Sequence, residues 1–346
     1  MAQPRIAVMG AGSWGTAFSV VLADAGCDVT LWARRPDIVQ AVNDTRGNPE
    51  YMPGVRLLAA VRAEHDPARA LAGADVTVLA VSSQSVRLLL ADWARHLAPG
   101  TVLVSLMKGM EQSTGMLMSQ VIAEVTGASS DRVAVVSGPN LAREVALRQP
   151  AATVIACADE PTAATLQGVC RTPYFRPYTS TDVIGVEIGG VVKNVIAVAA
   201  GIADGMGLGD NTKSALITRG LTEAMQLAAV MGADPRTLSG LAGMGDLVAT
   251  CTSTASRNHS LGYWLGRGLP LREAQAHITQ TAEGVFSCTA VQALGQRYAV
   301  QMPIAETVAG IIHDGRNPRE ALAALLSRPV KCETAGGPGP AVKDVR

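Results

Sequence analysis

The chain has no excess of charge of either sign: 29 basic and 29 acidic residues cancel among its 346. That absence removes the bulk electrostatic signature of nucleic-acid or anionic-membrane binding, although a small phosphorylated ligand needs only a local basic pocket. There is no C-x-x-C pair either. The six cysteines, Cys27, Cys157, Cys170, Cys251, Cys288 and Cys332, are scattered, which argues against a disulfide framework and suits a reducing cytosol. The five histidines lack metal-ligand spacing, so no metal is expected. Arg5 is followed at once by a strand and a glycine turn, not by an apolar h-region and a cleavage site, so the expectation is a soluble cytoplasmic protein.

What is present begins with Gly10-Ala11-Gly12-Ser13-Trp14-Gly15. This G-x-G-x-x-G run follows the short apolar stretch 5–9 and precedes a helical pattern over 13–25, which is the context a dinucleotide site requires. Gly10 permits the tight turn, Gly12 admits a pyrophosphate to the backbone, and Gly15 lets the helix lie against the strand. The free amides of the first helical turn then face the phosphate oxygens. Strands and helices alternate onward, with strands expected at 29–33, 74–81, 101–105, 132–136, 151–156 and 175–179, the mark of a parallel sheet covered on both faces. Arg34 and Arg35 stand at the carboxyl end of the second strand. Arginine there accommodates a 2′-phosphate, which favours NADP(H) over NAD(H), whereas a solvated turn is the plainer reading. Residues 43–56 hold enough breakers to read as a loop that could act as a lid, and Ser82-Ser83-Gln84 read as the cap of a helix running to about Leu97. Lys108 lies at the carboxyl end of a strand, where doubly wound sheets bind ligands, and Ser137-Gly138-Pro139-Asn140 form another strand-to-helix turn.

The pattern changes at 182–186, where strands give way to long Ala/Gly/Leu/Val helices. Residues 183–203 are apolar enough to resemble a membrane span, but Glu187, Lys193 and Asn194 within them point to a core helix. A lysine on such a helix either snorkels to the surface or is held in a pocket for acid–base work. Downstream, Ser256-Arg257-Asn258 open a helix expected over 258–265. They suit a phosphate, while a bare S-R-N is equally a polar helix cap.

Taken together, these segments closely resemble the bacterial soluble NAD(P)-dependent glycerol-3-phosphate dehydrogenase family. The likeness runs from residue 5 to about Glu333 through GAGSWGTA at 10–17, KGME at 108–111, SGPNLAREV at 137–145, EIGGVVKNVIA at 187–197, GDNTKSALITRGL at 209–221 and residues 240–258. The resemblance implies an α/β fold: an N-terminal Rossmann-like doubly wound sheet over residues 1–184, followed by an all-α substrate and catalytic domain over 185–333. It implies Lys193 as catalytic acid/base, with Lys108 and Asp246 in catalysis. It also implies substrate contacts from Lys108, Gly138, Asn140, Lys193, Asp246, Ser256, Arg257 and Asn258. Cofactor contacts would come from Ser13, Trp14, Arg34, Arg35, Lys108, Ala142, Arg257 and Glu283, beside the three glycines. Ser82 stands where the family usually has proline. Residues 334–346, with their Gly-Pro repeat, fall outside the match and read as a disordered tail. The implied reaction interconverts dihydroxyacetone phosphate and sn-glycerol 3-phosphate, feeding glycerophospholipid synthesis, in a homodimer with no nucleic-acid or membrane partner and no metal. A two-domain 3-hydroxy-acid dehydrogenase would share the plan without needing a phosphate anchor at Arg257. A nucleotide-sensing module without turnover would leave Lys108, Lys193 and Asp246 unexplained.

Overall fold

The computed structural model describes residues 3–278 and 281–329, so the expected tail at 334–346, and Cys332, lie outside the described residues. The first half runs β1 (Arg5–Met9), α1 (Ser13–Asp24), β2 (Asp28–Trp32), α2 (Pro36–Thr45), β3 (Gly47–Asn48), β4 (Met52–Arg56), β5 (Val61–Glu64), α3 (Pro67–Leu71), β6 (Val76–Leu79) and α4 (Val86–Trp93). It continues with β7 (Val102–Ser105), α5 (Met118–Thr126), β8 (Val133–Ser137), α6 (Ala142–Ala146), β9 (Ala151–Cys157), α7 (Glu160–Cys170) and β10 (Phe175–Ser180). Eight strands form one sheet in the order β10-β9-β8-β7-β6-β1-β2-β5. Successive side chains feed opposite faces: Ile6 and Val8 pack with Phe18, Ile38, Val145 and Leu166. Ala7 and Met9 pack with Leu71, Leu90 and Ile122 on the other side. Burial on both faces is why the strands read as continuous apolar runs, and the doubly wound class expected from sequence holds.

Three local expectations need correction. The sheet is mixed, because β8 pairs with β9 antiparallel while β9 and β10 run parallel to each other. Between β8 and β9 stands only the five-residue helix α6. At about 1.5 Å per residue it is too short to carry the chain back along a strand for a parallel return. Residues 43–56 are not one loop. They comprise the end of α2, stopped by Arg46 in the left-handed conformation (φ 55°), and an antiparallel β3–β4 hairpin. Finally, Ser82–Gln84 do not cap α4, whose N-cap is Ser85 without a side-chain hydrogen bond; Ser83 instead donates to Glu283 at 2.7 Å. The edge strand β5, which pairs with β2, carried no expectation at all.

From residue 183 the described structure is helical: α8 (Val183–Gly205), α9 (Asp210–Val230), α10 (Asp246–Thr252), α11 (Arg257–Gly266), α12 (Leu271–Ala276), α13 (Gly284–Arg297), α14 (Pro303–His313) and α15 (Pro318–Leu326). The apolar segment that could span a membrane by length is α8, and 89% of its most apolar window is buried inside the protein. Its neighbours are α9, α10, α11 and α13, so it is a core helix. Where α8 meets α11 the backbones nearly touch. A Cβ on Gly262 would lie 2.1 Å from the Val198 carbonyl, and one on Gly201 would lie 2.1 Å from that of His259. Neither backbone can yield without separating the helices. Gly262→Ala is therefore expected to cost about 3 kcal/mol of stability and to lower Tm in calorimetry. An unchanged Tm would show that the helices re-seat freely.

Candidate active site

Lys108 follows β7 and Gly138 follows β8, which brings both to the carboxyl ends of adjacent strands. There Val186 of α8 packs directly against Val135 and Ala156 of the sheet. One helical turn at a time, α8 then carries Gly190, Lys193 and Asn194 past Lys108. Asp246 arrives from the other side, at the head of α10 after a π-helical turn, Leu241–Gly245, a geometry that recurs at functional sites. Its carboxylate holds both lysines: Oδ2 accepts from Lys108 Nζ at 2.6 Å and Oδ1 from Lys193 Nζ at 2.7 Å. Lys108 also donates to the Gly138 carbonyl at 2.8 Å, and Lys193 to Thr250 Oγ1 at 2.9 Å. An ammonium has three donors, so each lysine keeps one for a further acceptor.

The electrostatics follow from this packing. Asp246 is 2% exposed, and burial works to protonate it, but the two lysines outweigh burial and hold the carboxyl below its ordinary range. Burial pushes the Lys108 ammonium down to about 8, against the pull of Asp246 and with repulsion from Lys193 adding to the effect. Two cations on one buried anion leave a net charge of +1, matched to an oxygen on which negative charge develops.

At the other end of the cleft, Ser256 caps α11, its Oγ accepting from the His259 amide at 3.3 Å. Arg257 is the first residue of that helix and reaches solvent. Packing around its guanidinium lowers its pKa and Glu283 acts in the opposite direction. Asn258, by contrast, is buried and its carboxamide is committed: Oδ1 accepts from Gly284 N at 2.9 Å and Nδ2 donates to Asn194 Oδ1 at 2.8 Å. Asn194 passes the chain on to the Lys108 carbonyl at 2.7 Å. The Asn140 side chain is likewise turned into the sheet, donating to the Ala152 carbonyl and accepting from Thr153. The carboxamides of Asn140 and Asn258 are thus both engaged within the protein.

The glycine turn has the expected form. Gly10 adopts φ +134° with a hypothetical Cβ 2.4 Å from the Ala80 carbonyl, and a Cβ on Gly15 would strike the Gly10 carbonyl at 1.9 Å. Gly12, the N-cap of α1, has nothing within 4 Å of its own Cβ position, and no side chain caps the helix. Trp14 Nε1 is buried without a hydrogen-bond partner. An open, uncapped helix start beside an unpartnered donor fits a pyrophosphate. Ser13 donates to the Tyr51 carbonyl at 3.0 Å, and Asn48 Nδ2 donates to the Ala11 carbonyl at 2.8 Å, so the β3–β4 hairpin is fastened onto this turn. Ala142 begins α6, which packs on α1. Glu283, raised in pKa by burial, links α13 to Ser83. Arg34 and Arg35 are exposed beyond β2.

Thr250 and Asn194 are not among the site residues expected from sequence. A threonine four residues after Asp246 on a helix, and the asparagine next to Lys193, were the available signals.

Residues 5–163 match the family described as NAD-dependent glycerol-3-phosphate dehydrogenase N-terminus, and residues 182–323 match its C-terminus counterpart. A curated relative from Streptomyces avermitilis named glycerol-3-phosphate dehydrogenase [NAD(P)+] is 62% identical, covering 95% of this chain and 98% of its own. One of the same name from Thermobifida fusca is 56% identical, covering 96% and 99%. The crystal structure of glycerol-3-phosphate dehydrogenase from Coxiella burnetii superposes with a TM-score of 0.90 at 38% identity, covering 94% of this chain and 99% of that one. With both of its halves matched in order and relatives this close along nearly its whole length, the chain belongs to the NAD-dependent glycerol-3-phosphate dehydrogenase family.

Proposed function

We propose that this protein interconverts dihydroxyacetone phosphate and sn-glycerol 3-phosphate by hydride transfer with NAD(P)H. The observation that carries the reading is one buried carboxylate, Asp246, holding Lys108 and Lys193 while each lysine keeps a donor in reserve. NAD(P)H, when bound, supplies the hydride to the carbonyl carbon. Lys193 gives its proton to the carbonyl oxygen as that oxygen becomes an alcohol, and Lys108 holds the charge developing there. Asp246 orients both and keeps the pair charged. Arg257 takes the substrate phosphate with the Ser256 hydroxyl and the first-turn amide of Asn258, while Gly138 and Asn140 line the carbonyl end. Gly10, Gly12, Ser13, Trp14 and Gly15 would hold the pyrophosphate of the cofactor, Lys108, Ala142, Arg257 and Glu283 would add further contacts to it, and Arg34 and Arg35 would meet its adenosine ribose. Either nicotinamide serves, with NADP(H) favoured through Arg34 and Arg35.

The same reading divides the chain into a cofactor domain, 1–184, and a substrate domain, 185–333. It places the enzyme in the cytoplasm as a homodimer that supplies glycerol 3-phosphate for glycerophospholipids. Support for the compartment is that all five cysteines among the described residues are free and buried. Support for the dimer is apolar surface on the helical half, at Val230 and Leu326.

Initial rates of NADPH and NADH oxidation with dihydroxyacetone phosphate, set against unphosphorylated dihydroxyacetone, test the reaction. Equal rates with both ketones would remove the phosphate anchor and with it the reading. The pH dependence has a definite sign. Lys108 must be charged, and its pKa is pushed down to about 8, so kcat/KM for reduction is expected to fall as pH rises through about 8. A profile flat to pH 10 would show that the charge on Lys108 plays no part.

A further inference from the structure

Sequence alone makes Arg34 and Arg35 a pair of positive charges at the ribose end of the cofactor site, but the structure treats them differently. Arg35 is the N-cap of α2 and is gripped from two sides. Its Nε donates to Asp37 Oδ1 at 3.1 Å and its Nη2 to Asp37 Oδ2. From the other side, Nη1 lies 2.7 Å from Glu50 Oε2 and 2.9 Å from Oε1. Glu50 belongs to a different element, the three-residue tip joining β3 to β4, and that hairpin is fastened to the glycine turn through Ser13 and Asn48. Arg34 is exposed, and no ion pair or hydrogen bond of its guanidinium occurs among the described residues.

Two arginines and two carboxylates sum to zero. A 2′-phosphate carrying close to two negative charges therefore meets less attraction than two unpaired arginines would offer, and it must compete with carboxylates already on Arg35. Asp37 sits in the first turn of α2, where the helix dipole favours it, and it grips Arg35 through two oxygens. Glu50 is held only through the hairpin tip, so it is the separable half of the restraint. We propose that Glu50 is a specificity-determining residue: by occupying one arm of Arg35 it narrows this enzyme's discrimination between NADP(H) and NAD(H), leaving Arg34 as the main phosphate contact. The proposal rests on the cofactor reading above and adds a residue that the cofactor motifs do not include.

Calorimetric binding of adenosine 2′,5′-bisphosphate and of adenosine 5′-monophosphate to the full-length protein tests it without turnover. The readout is the ratio of the two affinities in wild type, Glu50→Gln and Glu50→Lys. Because the ion pair is exposed, the expected gain in that ratio is about threefold for Glu50→Gln and about tenfold for Glu50→Lys. The gain should shrink between 50 mM and 500 mM salt, since it is a charge effect screened over roughly 10 Å at 0.1 M. A ratio unchanged in both variants overturns the proposal. So does a fall, which would mean that Glu50 aims Arg35 at the phosphate instead of restraining it. If neither nucleotide binds the wild type, the cofactor reading itself fails and this proposal with it, an outcome distinct from an unchanged ratio.

Discussion

Lys193→Ala is expected to lower kcat for ketone reduction by about 10²-fold or more while leaving cofactor affinity nearly unchanged. Lys193 spends two of its donors on Asp246 and Thr250, and in the proposed reaction the third would serve the substrate oxygen. That interaction strengthens as negative charge builds, so its loss appears in the transition state more than in the ground state. The variant keeps the Lys108–Asp246 ion pair, and Asp246 is not left as an uncompensated buried charge. A second readout separates chemistry from general damage. Lys193 repels the Lys108 ammonium, so its removal should raise the Lys108 pKa, and the residual activity should persist to higher pH than in the wild type. Near-normal kcat in the alanine variant would take Lys193 out of the mechanism. A large loss of kcat with an unmoved pH limit would separate Lys193 from Lys108.

Arg257→Gln is expected to cost roughly 10²-fold in kcat/KM with dihydroxyacetone phosphate and far less with dihydroxyacetone. A guanidinium fork on a phosphate makes two charge-assisted hydrogen bonds, each worth about 1.5–3 kcal/mol, and glutamine replaces the fork with a single neutral amide group. The phosphate is remote from the reacting carbon, yet its binding energy holds the ketone against the nicotinamide, so kcat should fall along with the rise in KM. Glu283 acts electrostatically on Arg257 and is bonded to Ser83 across the cleft. Some loss of cofactor affinity is therefore expected too, and binding should be measured separately from turnover. If discrimination between the two ketones survives intact, the phosphate sits elsewhere, with Lys108 the next cation to test.

The sequence by itself determined whatever depends on a residue's own neighbours along the chain. The glycine turn was legible because strand, glycines and helix are contiguous, and its three glycines occupy the spacing that backbone approach demands. The alternation of apolar strands with helices fixed the layered class, since strands buried on both faces leave a continuous apolar signature. That α8 belongs in a core, not a bilayer, followed from Glu187, Lys193 and Asn194 within it, and Lys193 is indeed 8% exposed among protein atoms.

Tertiary structure alone decided which groups meet. Asp246 stands 138 residues from one of its lysines and 53 from the other, and no periodicity carries such a pairing. The antiparallel return of β9 came from the shortness of α6, and the hairpin at 47–56 from cross-strand hydrogen bonds that accommodate the breakers in it. The same blindness affected charge and amide direction. Arg34 and Arg35 look alike in sequence, yet only Arg35 is gripped by carboxylates from two elements. Asn258 looks like a free donor beside Arg257, yet it faces Asn194 and Gly284. Propensity and pattern report which face of an element is apolar. Ion pairs, amide orientation and pKa depend on what packs against that element, and that is settled only when the chain closes on itself.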